Sequence, residues 1–328
     1  MYMAFMNGGL GNQAFQYIFA RYIEETTGER VLIDDMHYFL LEDEINFNKT
    51  NAPANSQDKL THNGYEIEYV FPNVTKPLLL SEQFDEDVWE YMKVEIKKSP
   101  LKRLGVVRQL LANGLDLSVL IEAGQMTELD GLNCRIYYSE GNRYNSAVTS
   151  LPGDIYYFGY WINPGWFNRY RDTFLKEFAF RPITDAKNKQ YENDIKNNFA
   201  VGVHIRRGDF IKFGWALQEE YIYSAIKQLN DIFKDIVYFI FSDDLEWCKN
   251  NRKQLGFRSK NTVYVEGNYD YKNNYIDVQL MSMCDILVEG TSSFSYLAGI
   301  LNQTPGFQAV QVRTPPTEDL AGEIQRIN

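Results

Sequence analysis

The chain has 328 residues, 45% of them hydrophobic, with a formal net charge of −11. That length and apolar content suit a large buried core divided into roughly two domains of ~100–200 residues each. The acidic balance argues against a general nucleic-acid binder, and the longest apolar runs are far too short to span a bilayer, so neither nucleic acid nor a transmembrane segment is expected.

Met1 to Met6 reads as an apolar strand, residues 7–13 as a turn, Ala14 to Glu25 as a helix and Arg30 to Ile33 as a second strand, a βαβ opening. The helix repeats Phe15, Ile18, Phe19, Tyr22 and Ile23 at helical spacing, and Gly28 supplies its stop. Gly8, Gly9 and Gly11 make the preceding turn one that a ligand can approach closely, with free N–H groups at a helix N-terminus. Tight turns of this kind also occur as plain structure, and the third glycine of a dinucleotide fingerprint is absent. The turn follows Met1 too closely for a secretory signal, so a cytoplasmic protein is expected. Cys134, Cys248 and Cys284, odd in number and widely spaced, fit reduced thiols.

From Asp34 to about Asn63 the pattern dissolves into polar residues and reads as a long loop. Helical patterns follow near Asp85 to Lys97 and Leu101 to Leu111, with strands near Arg135 to Tyr138 and Ile155 to Tyr160. Asp85-Glu86-Asp87 resembles a metal-binding acidic cluster, but its place at the start of a helical run favours an acidic first turn facing the helix dipole. The aromatic run from Tyr156 to Phe167 reads either as a wall for stacking sugars or as an apolar seam between domains.

Beyond Asn168 helices and strands alternate. Helices near Asn168 to Phe178 and Ala186 to Asn197 precede a strand at Phe199 to Ile205. The helix Glu219 to Lys234, the strand Ile236 to Phe241, the helix Leu245 to Leu255 and the strand Thr262 to Val265 follow. Tyr275 to Met283, Ile286 to Val288, Phe294 to Leu301 and Gln308 to Val312 complete the run as helix, strand, helix and strand. This alternation predicts an α/β chain with parallel sheets in two Rossmann-like domains, residues 1–165 and 166–328, facing across a cleft.

Chemistry concentrates at strand ends of the second domain, where ligands of open α/β sheets bind. His204 and Arg206 share one face at the end of the strand Phe199 to Ile205, and Arg207 takes the other. Arg206 could present its planar fork to a phosphate, while Arg207 could be neutralised by Asp209 or another carboxylate. The alternative is that all four form a structural ion cluster. Ser242, Asp243 and Asp244 end the next strand, where a carboxylate can accept from a ribose hydroxyl or a guanine edge, or cap the following helix. Thr291, Ser292 and Ser293 form a hydroxyl-rich turn opening a helix, a position that suits a phosphate. His37, His62 and His204 are the only histidines, and no His-Glu-x-x-His, Gly-x-x-x-x-Gly-Lys or Cys-x-x-Cys motif competes.

Taken together, Gly8-Gly9-Leu10-Gly11-Asn12-Gln13, His204-Ile205-Arg206-Arg207-Gly208-Asp209, Ser242-Asp243-Asp244 and Asp277 to Cys284 with Ser292-Ser293-Phe294-Ser295 resemble, in order and spacing, the galactoside α-1,2-fucosyltransferase family of glycosyltransferases. The resemblance implies a GT-B-like fold and an inverting, metal-independent transfer of L-fucose from GDP-β-L-fucose to galactose O2 of an oligosaccharide or glycolipid-linked acceptor. It implies no cofactor and a place in the cytoplasm, free or peripheral to the inner membrane face. By motif, Arg206 would hold the β-phosphate, His204 the nucleotide, Asp243 or Asp244 the guanine or ribose, and Ser292 and Ser293 the phosphates. Asn12 would face the reacting centre, with Gly9 and Gly11 beside it. Asp209 is the expected general base, with Glu219, Glu220 or no dedicated base as alternatives. Ile286, Thr291, Tyr296 and Leu297 depart from the family pattern. Rival readings are transfer to a different hydroxyl, use of another GDP-sugar, and a non-catalytic glycan- or nucleotide-binding protein of the same fold.

Overall fold

The computed structural model describes residues 2–40, 63–83, 86–87, 90, 127–129, 132–138, 142–269, 272–311 and 324–325. It separates into two compact units, Met1–Ile45 with Gly64–Ala179, and Asn46–Asn63 with Phe180–Asn328. The division after Ala179 lies beyond the expected one at residue 165. The cause is the pair of short helices Pro164–Arg169 and Arg171–Glu177, whose Trp166, Phe167 and Phe174 are fully buried in the first unit. Trp166 meets Phe19 and Tyr22 edge-on, with ring centroids 5.1 and 5.0 Å apart.

The first unit holds one six-stranded sheet in the order β3-β2-β1-β6-β5-β4. Its strands are β1 (Tyr2–Phe5), β2 (Val31–Asp34), β3 (Leu78–Leu79), β4 (Thr127–Leu129), β5 (Leu132–Tyr138) and β6 (Ile155–Phe158). All pairs are parallel except β4 with β5. The helix Leu10–Thr27 starts four residues earlier than its apolar spacing predicts, because Gly9 is extended and serves as N-cap. It stops as expected at Gly28, whose φ of 76° suits glycine and whose N–H reaches Glu24 O. The predicted long loop after Asp34 contains a helical turn at His37–Leu40, and the helical patterns near 85–97 and 101–111 fall almost wholly outside the described residues.

Most of the aromatic run is core, although Tyr160 is exposed. Tyr156, Tyr157, Trp161, Trp166 and Phe167 are buried in the first unit's own core, and among them Trp161 lies flat on Phe19 at 3.7 Å. The apolar helix Leu10–Thr27 is buried nearly all round, and Tyr157 of β6, Trp161 and Trp166 surround its Phe19. Trp161 adopts φ 57°, a strained conformation for a large side chain, which the stack holds in place.

The second unit repeats the pattern, in the order β12-β11-β10-β7-β8-β9. Its strands are β7 (Phe199–Ile205), β8 (Ile236–Ser242), β9 (Thr262–Tyr264), β10 (Ile286–Glu289), β11 (Gln308–Gln311) and β12 (Ile324–Gln325), parallel except for β12. The alternation of the sequence is therefore realised as a doubly wound sheet with its topological switch between β7 and β10. On one face Val201, Val203, Ile205, Ile286 and Val288 pack with Tyr221, Ile222, Ala225, Ile226 and Leu229 of the helix Glu219–Ile232. On the other, Gly202 leaves room for Cys284 and Leu287, either of which would crowd a Cβ at 3.0 Å. Cys248 and Cys284 are buried free thiols.

Candidate functional site

The strand β7 is buried almost to its end, so the chain emerges at Arg206 directly beyond the switch point. Residues Gly208–Phe213 then turn into a short helix that the sequence pattern does not reveal, and this turn decides the pairing of charges. Asp209 stands three residues beyond Arg206 on the helical turn, and its Oδ1 accepts from Arg206 Nε (3.1 Å) and Nη2 (2.7 Å). Arg206 Nη1 lies 3.0 Å from Asp243 Oδ2. Asp209 thus takes two of the five guanidinium N–H groups as hydrogen bonds, and Asp243 pairs with Nη1 by charge, leaving N–H groups for a ligand.

Arg207 goes to the other side, as strand alternation requires. Its Nε donates to Asp244 Oδ2 at 3.3 Å and its guanidinium carbon lies 3.5 Å from the ring centroid of Trp247. Of the partners expected for Arg207, Asp209 or another carboxylate, the structure supplies the second, Asp244. Asp243 Oδ1 accepts from the backbone N–H of Arg207 at 2.8 Å, tying the end of β8 to the end of β7. Asp244 also caps the helix Leu245–Asn250, its Oδ1 accepting from Trp247 N at 3.2 Å, and Ser242 Oγ accepts from Asp244 N at 3.0 Å. Burial raises the Asp243 pKa against the lowering influence of Arg206.

His204 lies beneath this cluster. Burial, aided by the nearby Arg206 charge, holds its pKa down at about 3, so it is neutral in ordinary buffers. Its ring is 5.7 Å from that of Phe294, and its Nδ1 has no hydrogen-bond partner among the described residues.

The neighbouring strand β10 delivers Thr291, Ser292 and Ser293 to the same edge. Ser292 Oγ accepts from Phe294 N at 3.3 Å, capping the helix Ser293–Leu301, and Thr291 Oγ1 donates to Trp215 O at 3.3 Å. The sheet therefore brings His204, Arg206, Arg207, Asp209, Ser242, Asp243, Asp244, Thr291, Ser292 and Ser293 to the carboxyl ends of β7, β8 and β10. Glu219 and Glu220 open the helix that covers the opposite face.

Gly9, Gly11 and Asn12 belong to the first unit, at the carboxyl end of β1. Gly8 has φ 76°, and a Cβ there would collide with the Asn12 amide. Two buried glutamines brace the turn: Gln13 Nε2 donates to Gly8 O (3.0 Å) and Gly64 O (2.7 Å), and Gln16 Nε2 to Asn7 Oδ1 (2.9 Å) and Gly159 O (3.0 Å).

Two buried carboxyls lie outside the strand-end cluster, and the sequence assigns them no role. Asp277, on the helix Tyr275–Met281, accepts from Asn268 Nδ2 at 2.7 Å, and burial raises its pKa to about 7. Glu289 ends β10 fully buried, with its pKa raised to about 8 by the same cause. An acidic residue inside an apolar helix or strand is the signal that marks both. Among the described residues no three His, Cys, Asp or Glu side chains gather as a metal site, and no helix is long and apolar enough to cross a membrane. Asp85 lies outside the described residues.

A phosphate-sized anion beyond β7 would meet Arg206, backbone N–H groups and a helix N-terminus, the donor set of a nucleotide-sugar site. The profile of glycosyl transferase family 11 matches residues 136–326, more than half of the sequence. The chain belongs to glycosyl transferase family 11, whose members include sugar transferases of several names. It is 32% identical over 165 residues to an α-1,2-colitosyltransferase of Escherichia coli, covering 48% of this chain and 55% of that protein. It is 25% identical to the O-antigen biosynthesis glycosyltransferase WbnK of Escherichia coli over 90% of this chain and 89% of that one. Galactoside 2-α-L-fucosyltransferase Sec1 of Mus musculus matches at 25% over 46% of this chain and 43% of its own length. The chain thus spans about half the length of two of these three relatives. A solved structure of NodZ α-1,6-fucosyltransferase soaked with GDP-fucose is similar at a TM-score of 0.49, with 12% identity over 94% of each chain.

Proposed function

We propose that this chain transfers L-fucose from GDP-β-L-fucose to galactose O2 of a glycan acceptor, with inversion and without a metal. The observation that carries the reading is Arg206, anchored on two carboxylates at the switch point with N–H groups left over, in a chain of family 11. In an inverting displacement the acceptor hydroxyl attacks the anomeric carbon opposite the nucleotide. The bond from that carbon to the phosphate oxygen breaks, and its electron pair leaves on GDP. The remaining donors of Arg206 are placed to take up charge on the departing phosphate, and the helix N-terminus at Ser292 and Ser293 adds to this.

In this reading neutral His204 serves the nucleotide as a hydrogen-bond partner at Nδ1. Asp243 and Asp244 hold the two arginines: Asp243 pairs with the Arg206 charge and accepts from Arg207 N, and Asp244 accepts from Arg207 Nε and Trp247 N. Asp209 Oδ1 accepts two N–H groups of Arg206, so Asp209 is better suited to aiming that guanidinium than to removing a proton. The proton of the acceptor hydroxyl leaves to solvent or to a base outside this cluster.

A second reading is favoured by the relative with the higher identity, which is named a colitosyltransferase: the same displacement with another deoxyhexose on the nucleotide. GDP release from GDP-fucose, with and without lactose and in excess EDTA, tests both. Acceptor-stimulated release unaffected by EDTA is expected. Inertness toward GDP-fucose with turnover of another GDP-sugar would select the second reading, and absence of any turnover with retained GDP binding would leave a binding protein.

A further inference from the structure

The short helix Gly208–Phe213 ends at Gly214 (φ 70°), and there the chain turns Phe213 and Trp215 outward together. They are 60% and 57% exposed, among the most exposed large apolar side chains described, and their rings stack at 4.9 Å with 29° between planes. Exposed aromatic pairs of this size are unfavourable in water unless something covers them. The segment is rigidly held. Trp215 N donates to Phe210 O at 2.8 Å, Trp215 O accepts from Thr291 Oγ1 at 3.3 Å, and the Phe210 ring meets Trp215 edge-on at 5.7 Å. Phe210 in turn lies 5.6 Å from the guanidinium of Arg206. The outward rings are therefore built onto both strand ends of the anion site, β7 through Phe210 and β10 through Thr291.

We propose that Phe213 and Trp215 form a platform on which one pyranose ring of the acceptor glycan stacks, so that these two residues set acceptor affinity. This rests on the transferase reading given above. Sugar rings present flat patches of C–H bonds with hydroxyls around the rim, which suits a rigid, half-exposed aromatic face. A neutral occupant fits because the platform itself carries no charge, and because Arg206, the group that would attract phosphate, is already reached through Phe210. Phe210 joins Trp215 to Arg206, so a sugar stacked on Trp215 lies beside the anion site. The backbone of Trp215 is held by Phe210 O and Thr291 Oγ1, and Arg206 keeps its own carboxylate partners, so substituting the two outward rings leaves the anion site intact.

The test compares wild type with Trp215→Leu, Phe213→Leu, the double variant and the ring-retaining Trp215→Phe. With lactose as acceptor, the KM for lactose is expected to rise ~10-fold or more in the double variant and to recover in Trp215→Phe. Donor KM and GDP release without acceptor should stay unchanged. In parallel, saturation-transfer NMR with lactose and GDP reads sugar binding without turnover, so failure of the fucosyl reading and failure of the platform are separately visible. An unchanged lactose KM, or an unchanged NMR signal from lactose in the double variant, overturns the platform. Loss of self-association in that variant with lactose binding retained would instead make the patch a contact between copies, which also overturns it.

Discussion

The buried carboxyl of Glu289 occupies the space that a Cβ on Gly299 would need: a methyl group built there would sit far inside van der Waals contact with Oε1. Gly299 lies within the helix Ser293–Leu301, where glycine ordinarily weakens the helix by ~1 kcal/mol relative to alanine. Here the glycine is the condition for the acid, and the acid is held against Gln311 Nε2 at 3.5 Å while Oε1 has no hydrogen-bond partner among the described residues.

Gly299→Ala should therefore destabilise by ~1–3 kcal/mol instead of stabilising, through overpacking. In a Glu289→Ala background the same substitution should recover the usual gain of alanine, on the order of 1 kcal/mol. Urea unfolding of the four proteins of this double-mutant cycle reads the coupling. Additive effects would show that the two positions do not compete for space.

Glu289 also predicts a pH dependence. Its folded pKa of about 8 lies above the ordinary 4.5, so the folded state retains a proton that the unfolded chain releases. The associated cost is absent below about 4.5 and complete above about 8. Glu289→Gln, which imitates the protonated form, should match wild type at pH 5 and exceed it at pH 9 by on the order of a few kcal/mol. The buried His204 acts oppositely: with its pKa at about 3 against 6.5, stability is lost as pH falls below 6.5. Unfolding midpoints at pH 5, 7 and 9 for the two proteins separate the contributions, and equal curves would remove Glu289 as a titrating group.

At Arg206 the expectation concerns rate. Arg206→Ala should lower turnover by ~10²–10³-fold, and Arg206→Lys should rescue it poorly, because an ammonium cannot span Asp209, Asp243 and a phosphate together. Asp209→Asn keeps an oxygen for the guanidinium and should retain most turnover, whereas Asp209→Ala should not. A large loss in Asp209→Asn, together with loss of the acidic limb of the pH profile, would restore Asp209 as the general base.

Arg207 offers a stability measurement. Trp247→Leu removes the ring beneath its guanidinium and should cost ~1–2 kcal/mol. Asp244→Ala should cost ~1 kcal/mol or more by uncapping the helix Leu245–Asn250, and Asp244→Asn less, since asparagine caps equally well. Chemical denaturation checks the order of the three.

Much of this was legible in the sequence where elements are regular. The strand Phe199–Ile205 emerges with its predicted bounds, and β8, β9, β10 and β11 differ from expectation by a residue or so, because buried parallel strands flanked by amphipathic helices carry an unambiguous pattern. The motif residues of the second unit were found for the same reason, at the ends of those strands. The partners of the arginines were not legible: the helix Gly208–Phe213 is a single short turn without periodicity, and it alone brings Asp209 to Arg206. The aromatic run misled because exposure cannot be read from composition. Tyr156 and Tyr157 are buried while Tyr160, a few positions on, is 46% exposed. The short strands β3 and β4 are too brief to leave a pattern.

The strand pairings carry a consequence for how the chain acquires its structure. In the first unit the central strand β1 pairs on one side with β6, joining Tyr2 to Ile155 across more than 150 residues. In the second, β7 joins β8 and β10 over far shorter separations, with Phe199 beside Ile236 and Val201 beside Ile286. Closing the longer loop costs more chain entropy before any contact rewards it. The sheet of the second unit should gain amide protection first, and β1, which can pair early with the nearby β2, gains its second neighbour only when β6 joins it.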